Sequence, residues 1–510
     1  MKKATSLAAI GVSVAMAATL CGCSATTTTS TSSASSSAAT AKASVTDRSG
    51  QRLVDADITT SQTAEDSGDG SHAITVDAET AEQANIAVTK TGEADGDEAD
   101  FYGSNAAIFT TNKGTLTLKD AIVTTNGKHA NGVFSYGEGT TVNVSHTIIR
   151  TTGNCSGGLM TTGGGTMNAT DVTAETTGNS SAAIRSDRGG GDVYVTGGYF
   201  TTAGTGSPVI YSTANINVSE AYLQSTSSQG VVVEGKNSVA LNDCQLIASN
   251  TSKNSDKSDT YQAVMIYQSM SGDAASGTSS FSMNGGSLTN DNGDIFFVNN
   301  TACEISLFNA NIVNNDTTGV FLRAEAAGWG SSGSNGGKVN LTASNQTING
   351  NMLVDSVSTL NLKLTDSSTF SGAINPDGQT GDVYVEVANG STWTLTADSY
   401  VSSLTCDAGS INLNGHTLYV GGQKYDGSSA STGTSFEIVS ASSNGNSGMG
   451  GGDKPDGEGG DPGAGGAGGD APDKPDGDGG SGAGGDVPDK PDGEGSGGEG
   501  GSTPPDKPSN

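Results

Sequence analysis

The sequence predicts an all-β protein, a right-handed parallel β-helix (solenoid) of about eleven coils with disordered N- and C-terminal tails, and three observations carry that expectation. An aliphatic residue recurs at Ile108, Val133, Leu159, Ile184 and Ile210, at intervals of 25, 26, 25 and 26 residues, and the aligned series continues through Val233, Ile266, Val298, Leu322 and Val354. Each is followed by an alternating run, from LTLKD at 116 and VNVSH at 142 to VNLTA at 339 and LNLKL at 360, and then by a third short run such as AIVTT or YFTT. Finally, 76 glycines and only 33% hydrophobic residues in 510 describe a thin, turn-rich chain, because a conventional core of that size needs more apolar side chains. No stretch of the body keeps the i, i+3, i+4, i+7 spacing of a helix, whereas alternation is frequent. Three short strands per unit of about 25 residues make one coil of a solenoid. Eleven coils at roughly 4.8 Å each would form a rod on the order of 50 Å long. The right hand follows from the general preference of parallel crossovers. A β-sandwich array competes, but its strands would rarely hold one register over so many units.

Taken in order, the chain opens with Lys2 and Lys3, an apolar stretch from Ala4 to Leu20, and Leu20-Cys21-Gly22-Cys23, which reads as a signal peptide over 1–22. The stretch is too short for a membrane-spanning helix. Residues 23–71 begin with a Ser/Thr/Ala run too poor in apolar groups to fold, and read as a spacer. The solenoid body is assigned to 72–440, with residues 72–90 as its cap or first coil. Inserts at 250–260, 271–280 and 328–337 lengthen three coils. Residues 441–510 form a disordered tail with DKPDG at 453, 473 and 489. That tail holds fourteen Asp and Glu against four Lys, a net of −10 and about a third of the chain's −31. Such an acidic balance argues against a nucleic-acid partner, whose affinity comes largely from Lys and Arg. Cys155, Cys244, Cys303 and Cys406 lie far apart without CxxC spacing, so neither a disulfide framework nor a metal cluster is indicated.

Leu20-Cys21-Gly22-Cys23 resembles a lipobox, which implies acylation of Cys23 and attachment to the membrane through an N-terminal lipid. With the coil pattern and the SDRGGG turn at 186–191, the chain resembles bacterial surface lipoproteins with a right-handed parallel β-helix of the pectate-lyase-like superfold, including carbohydrate-binding and adhesin-like proteins. The resemblance spans roughly 72–440 and implies an extracytoplasmic, lipid-anchored, surface-exposed protein. It does not select an activity, because this superfold hosts lyases, hydrolases, adhesins and binders.

With Ile108 and its equivalents facing inward, the next residue faces outward. That column reads Phe109, Phe134, Met160, Arg185, Tyr211, Glu234, Tyr267, Asn299, Arg323 and Asp355. A polysaccharide lyase acting by calcium-assisted β-elimination would need carboxylates and calcium beside Arg185, since a calcium ion takes six to eight oxygens. The column offers Met160 and Tyr211 instead, so Arg185 and Arg188 read as parts of a turn, with Arg188 pairing to Asp187 or Asp192 and Arg185 lying over Tyr211 as a cation–π contact. No catalytic residue and no cofactor are assigned. Calcium has one further candidate, DGDEAD at 95–100, which lacks an EF-hand pattern and reads as a solvated acidic turn. The four histidines show no paired spacing. The favoured reading is binding of an extracellular polysaccharide or glycan through an outward aromatic and arginine face, with Arg185, Tyr211, Tyr267, Trp329 and Phe134 as ligand-binding residues and the 271–280 and 328–337 inserts walling a groove. Three other readings stay open: a pectate-type lyase, a protein-binding adhesin, and a ribbon covered by loops as a secondary core.

Overall fold

In a computed structural model, residues 50–253 and 257–439 are described. The signal peptide, Cys23, the start of the spacer and the 441–510 tail lie outside the described residues. The described residues fall in one compact unit and are almost entirely β. Among the described residues the only helical segments are the single turns Asp55–Asp57 and Asp97–Asp100. No helix among the described residues is long and apolar enough to cross a membrane.

Two long parallel sheets organise the unit. Eleven short strands, beginning with Ile74–Asp77 and Ile108–Thr111 and ending with Met352–Val354, pair in strict chain order. A second sheet of nineteen strands takes the alternating runs, again parallel and in step. Each strand pairs with its counterpart about one repeat away, a topology compatible with a parallel β-helix. Between the sheets lies one apolar cluster that includes Val76, Ile108, Leu116, Val142, Leu246 and Phe281.

Register follows the sequence alignment through Ile210, departs from it by two residues at Val233, Ile266, Val298 and Val354, and meets it again at Leu322. Ile108 pairs with Val133, Val133 with Leu159, Leu159 with Ile184 and Ile184 with Ile210. Ile210 then pairs with Val231 rather than Val233, and the rung continues through Val264, Phe296, Leu322 and Met352. Val339 and Leu360 similarly align with Cys303, not Ile305. Strands such as VVVE and IFFV carry apolar residues at both i and i+2, so a two-residue slip keeps the same face inward and periodicity cannot detect it. Facing survived the slip. Glu234, Tyr267 and Asn299 also remain neighbours, but Tyr211 now lies beside Val232 and Arg323 between Phe297 and Leu353.

The corners explain the repeated TTGN and TTAG stretches. Thr151, Thr176 and Thr202 hydroxyls donate to the carbonyls of Ser156, Ser181 and Ser207, while those serines donate to the carbonyls of Gly127, Gly153 and Gly178. Backbone carbonyls buried at these three corners thereby find partners. The glycines are needed because successive corners nearly touch: a Cβ on Gly178 would lie 1.9 Å from the Gly153 oxygen, and one on Gly153 would lie 1.9 Å from the Gly127 oxygen. A second bend uses positive φ at Asp120, His146, Asp171, Glu220 and Asp243, a region that Asp and His, though not Glu, tolerate better than most residues. His146 fits there as a polar bend residue, with its Nδ1 2.7 Å from Asp120 Oδ1.

The folded body also starts earlier than residue 72. Gln62–Asp66 pairs in parallel with the strand Thr80–Lys90, and Leu53 and Ile58 are buried against Ile148. Arg52 and Arg150 both reach Glu175, and Arg150 also reaches Asp55. Unlike the Ser/Thr/Ala run of 24–44, which holds no acid and no Leu, Ile or Val, residues 50–71 carry Leu53, Val54, Ile58 and five Asp or Glu. Leu53 and Ile58 matter because each finds a fixed partner in the body, whereas Val54 stays exposed.

Candidate functional site

The outward column beside the Ile184 rung is the natural place to look for chemistry. Strand register sets Arg185 between Met160 and Tyr211, as the sequence implies. Its guanidinium is nevertheless only 2% exposed. Nη2 donates to Asp100 Oδ1 and to Asp187 Oδ2, each at 2.8 Å. Burial by itself would ease the proton off Arg185, but the charges of Asp100 and Asp187 outweigh it and hold the cation firmly protonated. Arg188 donates to Asp273 at 2.6 Å and to Asp97 at 2.7 Å, and lies 3.7 Å from the centre of the Phe101 ring. The arginines therefore do sit among carboxylates, contrary to the sequence reading. Pairing of the Arg188 side chain with Asp187 or Asp192 is replaced by pairing with Asp97 and Asp273. The cation–π contact belongs to Arg188 on Phe101, while Arg185 turns to its two aspartates.

These acids come from elsewhere in the chain. DGDEAD is a largely exposed acidic turn, solvated from Asp95 to Glu98, whose acids are divided among three different bases: Asp95 pairs with Lys128, Asp97 with Arg188 and Asp100 with Arg185. The segment lies across the outward column, where Thr162 donates to the Phe101 carbonyl and Gly103 presses on Phe109 and Phe134. Phe134 is fully buried in a cluster with Ala106 and Met160. His72 stacks on Phe109 with ring centres 4.6 Å apart, closing that end of the column.

Farther along, the 328–337 insert tucks its tryptophan down while Ser331–Ser334 stay exposed. Trp329, from the 328–337 insert, is fully buried with Val232, Met265, Tyr267 and Phe297, and its ring centre is 5.2 Å from that of Tyr267. Asn335 pins the loop by donating to the carbonyls of Ala327 and Trp329. Tyr211 packs at the edge of this cluster. The expected exposed ribbon of Phe134, Arg185, Tyr211, Tyr267 and Trp329 is thus a covered secondary core. The physical reason is that aligned rings and aliphatics gain about 25 cal/mol for each Å² removed from water, and segments free of sheet register can be recruited to cover them.

Beneath this cover lies a polar cluster. Glu234 accepts hydrogen bonds from Tyr211, from Tyr267 at 3.1 Å and from Ser269. Burial pushes the Glu234 carboxyl up, with the Ser269 and Tyr211 hydrogen bonds opposing, and burial followed by the Glu234 charge pushes both tyrosine hydroxyls well up. A carboxyl whose folded pKa exceeds its unfolded value contributes stability below the unfolded value, about 4.3, and loses it as pH rises through the folded one. Glu234→Gln, with no proton to lose, is therefore expected to gain stability over the natural protein as pH rises from about 4 toward neutrality. Urea unfolding of the pair across that range checks this, and a difference independent of pH would contradict it.

The open surface is polar. A cleft of about 290 Å³ is bounded by Gly189–Gly191 of the SDRGGG turn, Asn215, Lys236, Asn237 and Asp273. Beside it on the outer face of the long sheet, Asn215 donates to Asp192 and accepts from Ser238. Two residues along from Asp192 is Tyr194, 47% exposed, flanked in register by Asn168 and Asn217. Sequence reasoning missed this strip because it weighed only the column next to the first strand of each repeat. The alternation of GDVYVT, which points Tyr194 outward, was the available signal. No family model and no curated protein matches the chain.

Proposed function

We propose that this chain is a lipid-anchored cell-surface protein, folded as a right-handed parallel β-helix of about eleven coils in the pectate-lyase-like manner, that binds extracellular polysaccharide. The solenoid reading is supported by the parallel, in-order pairing of both sheets. The observation that carries the binding reading is the exposed Tyr194 ring set between Asn168 and Asn217, next to the cleft of Asn215, Lys236 and Asn237. Sugar rings stack their apolar faces on an open aromatic ring, while amides and a lysine bond the hydroxyls. Tyr194 and Asp192 point the same way about 7 Å apart, the span of two strand residues, so one saccharide unit on the ring brings its neighbour to the cleft. A chain of net charge −31 favours a neutral polymer over an acidic one.

A glycan array followed by titration of Tyr194→Ala tests this. The expected result is binding to neutral glycans, weakened by about 1 kcal/mol or more in the variant, with unchanged thermal unfolding because the ring is exposed. A blank array would favour the protein-adhesin reading, and unaltered affinity would remove Tyr194 from the site. A lyase built on Arg185 is less well supported: its guanidinium is buried and paired with two carboxylates, so it is not placed to take a proton from a polymer.

A further inference from the structure

Three groups of ligand character converge where the 97–103 segment meets the corners of two successive repeats. The Asp100 carboxylate, the His129 imidazole and the Cys155 thiol come from different parts of the chain, yet their ligand atoms all lie within 4.8 Å of one another. His129 Nδ1 stands 3.8 Å from Asp100 Oδ1. We propose that Asp100, His129 and Cys155 form a three-ligand site for a zinc-class divalent metal, with the fourth position left to water or an incoming ligand.

The imidazole supplies the observation that points to a ligand. His129 is 6% exposed, and its Nδ1 is a buried polar atom with no hydrogen-bond partner. An orphaned buried nitrogen is costly unless something else uses it. The corner backbone adds a second indication. His129, Cys155 and Ser180 occupy equivalent positions with φ of 55°, 56° and 53°, each amide donating to the corner of the following repeat. A left-handed position rarely selects cysteine. Here it stacks a thiol one repeat from an imidazole, at the spacing the parallel pairing imposes.

The donor set selects the metal. One nitrogen, one sulfur and one oxygen suit zinc, whose bonds to them run about 2.0–2.3 Å in a tetrahedron. Hard oxygen-seeking cations such as calcium would reject the thiol. Binding would release the thiol proton to solvent and leave a thiolate on the metal. Arg185 also donates to Asp100, but a carboxylate offers about four lone-pair sites, and Asp187 balances the guanidinium. Three protein ligands rather than four leave the open position typical of zinc sites that engage a further molecule.

The test is cobalt titration of the full, untagged chain, with zinc as competitor. The expected result is a thiolate-to-cobalt charge-transfer band with the visible absorption of four-coordinate cobalt, both abolished by added zinc. Cys155→Ser should remove the band, and His129→Asn should weaken cobalt binding by at least about 10-fold, the scale seen even for outer-shell changes. Both variants suit the corner: serine already stands there at Ser180, and asparagine tolerates positive φ. Absence of the band in the natural chain, its persistence in Cys155→Ser, or an unchanged affinity in His129→Asn would each overturn the site.

Discussion

Replacing Arg185 with alanine is expected to destabilise the protein by about 3–5 kcal/mol, the cost of removing one partner of a buried ion pair. Asp187, itself fully buried, and Asp100 would both lose the guanidinium hydrogen bonds that compensate their charge. Arg188 cannot substitute, because its side chain is held by Asp97 and Asp273 and only its backbone amide reaches Asp187. Adding Asp187→Ala to Arg185→Ala should recover part of the loss by removing the stranded charge. Long repeat arrays need not unfold in one step, so urea unfolding is best paired with hydrogen exchange in the repeats around Ile184. A loss under about 1 kcal/mol, the value of a surface pair, would show that water reaches this cluster.

Trp329→Ala should cost about as much, roughly 3–5 kcal/mol for a fully buried large aromatic. The indole fills the space over Val232, Met265, Tyr267 and Phe297, and its removal leaves a cavity that the Asn335-pinned loop cannot readily close. Trp329→Phe provides the contrast. Indole Nε1 has no hydrogen-bond partner, so phenylalanine gives up some packing while relieving an unpaired buried donor, and its cost should be well below that of alanine. An exposed sugar platform at Trp329 would instead leave stability unchanged in both variants while lowering ligand affinity. Melting curves of the two variants separate these cases.

Charge clusters in this protein were the least legible part of the sequence, and Arg185 shows why. Its neighbours along the sheet, Met160 and Tyr211, follow from a 25-residue period. Its partner Asp100 lies 85 residues upstream in a segment with no repeat register, and no periodicity links the two. The same holds for Asp273 with Arg188 and for Trp329 with Tyr267, both carried by inserts. Cys155 and His129 do sit at equivalent corner positions, a relation that alignment of KHAN with NCSG could have exposed. Their meeting with Asp100 could not have been read that way.

The sequence by itself determined the all-β class, the parallel pairing partners of the early repeats and the inward face of the strands in the ten aligned repeats, because the 25-residue period and the two-residue alternation are local properties imposed by strand geometry and by burial. Tertiary structure alone decided which outward residues meet water. That outcome depends on segments outside the repeat, residues 97–103 and the inserts around Asp273 and Trp329, whose positions follow from burying rings and pairing charges over long sequence distances rather than from any pattern along the chain.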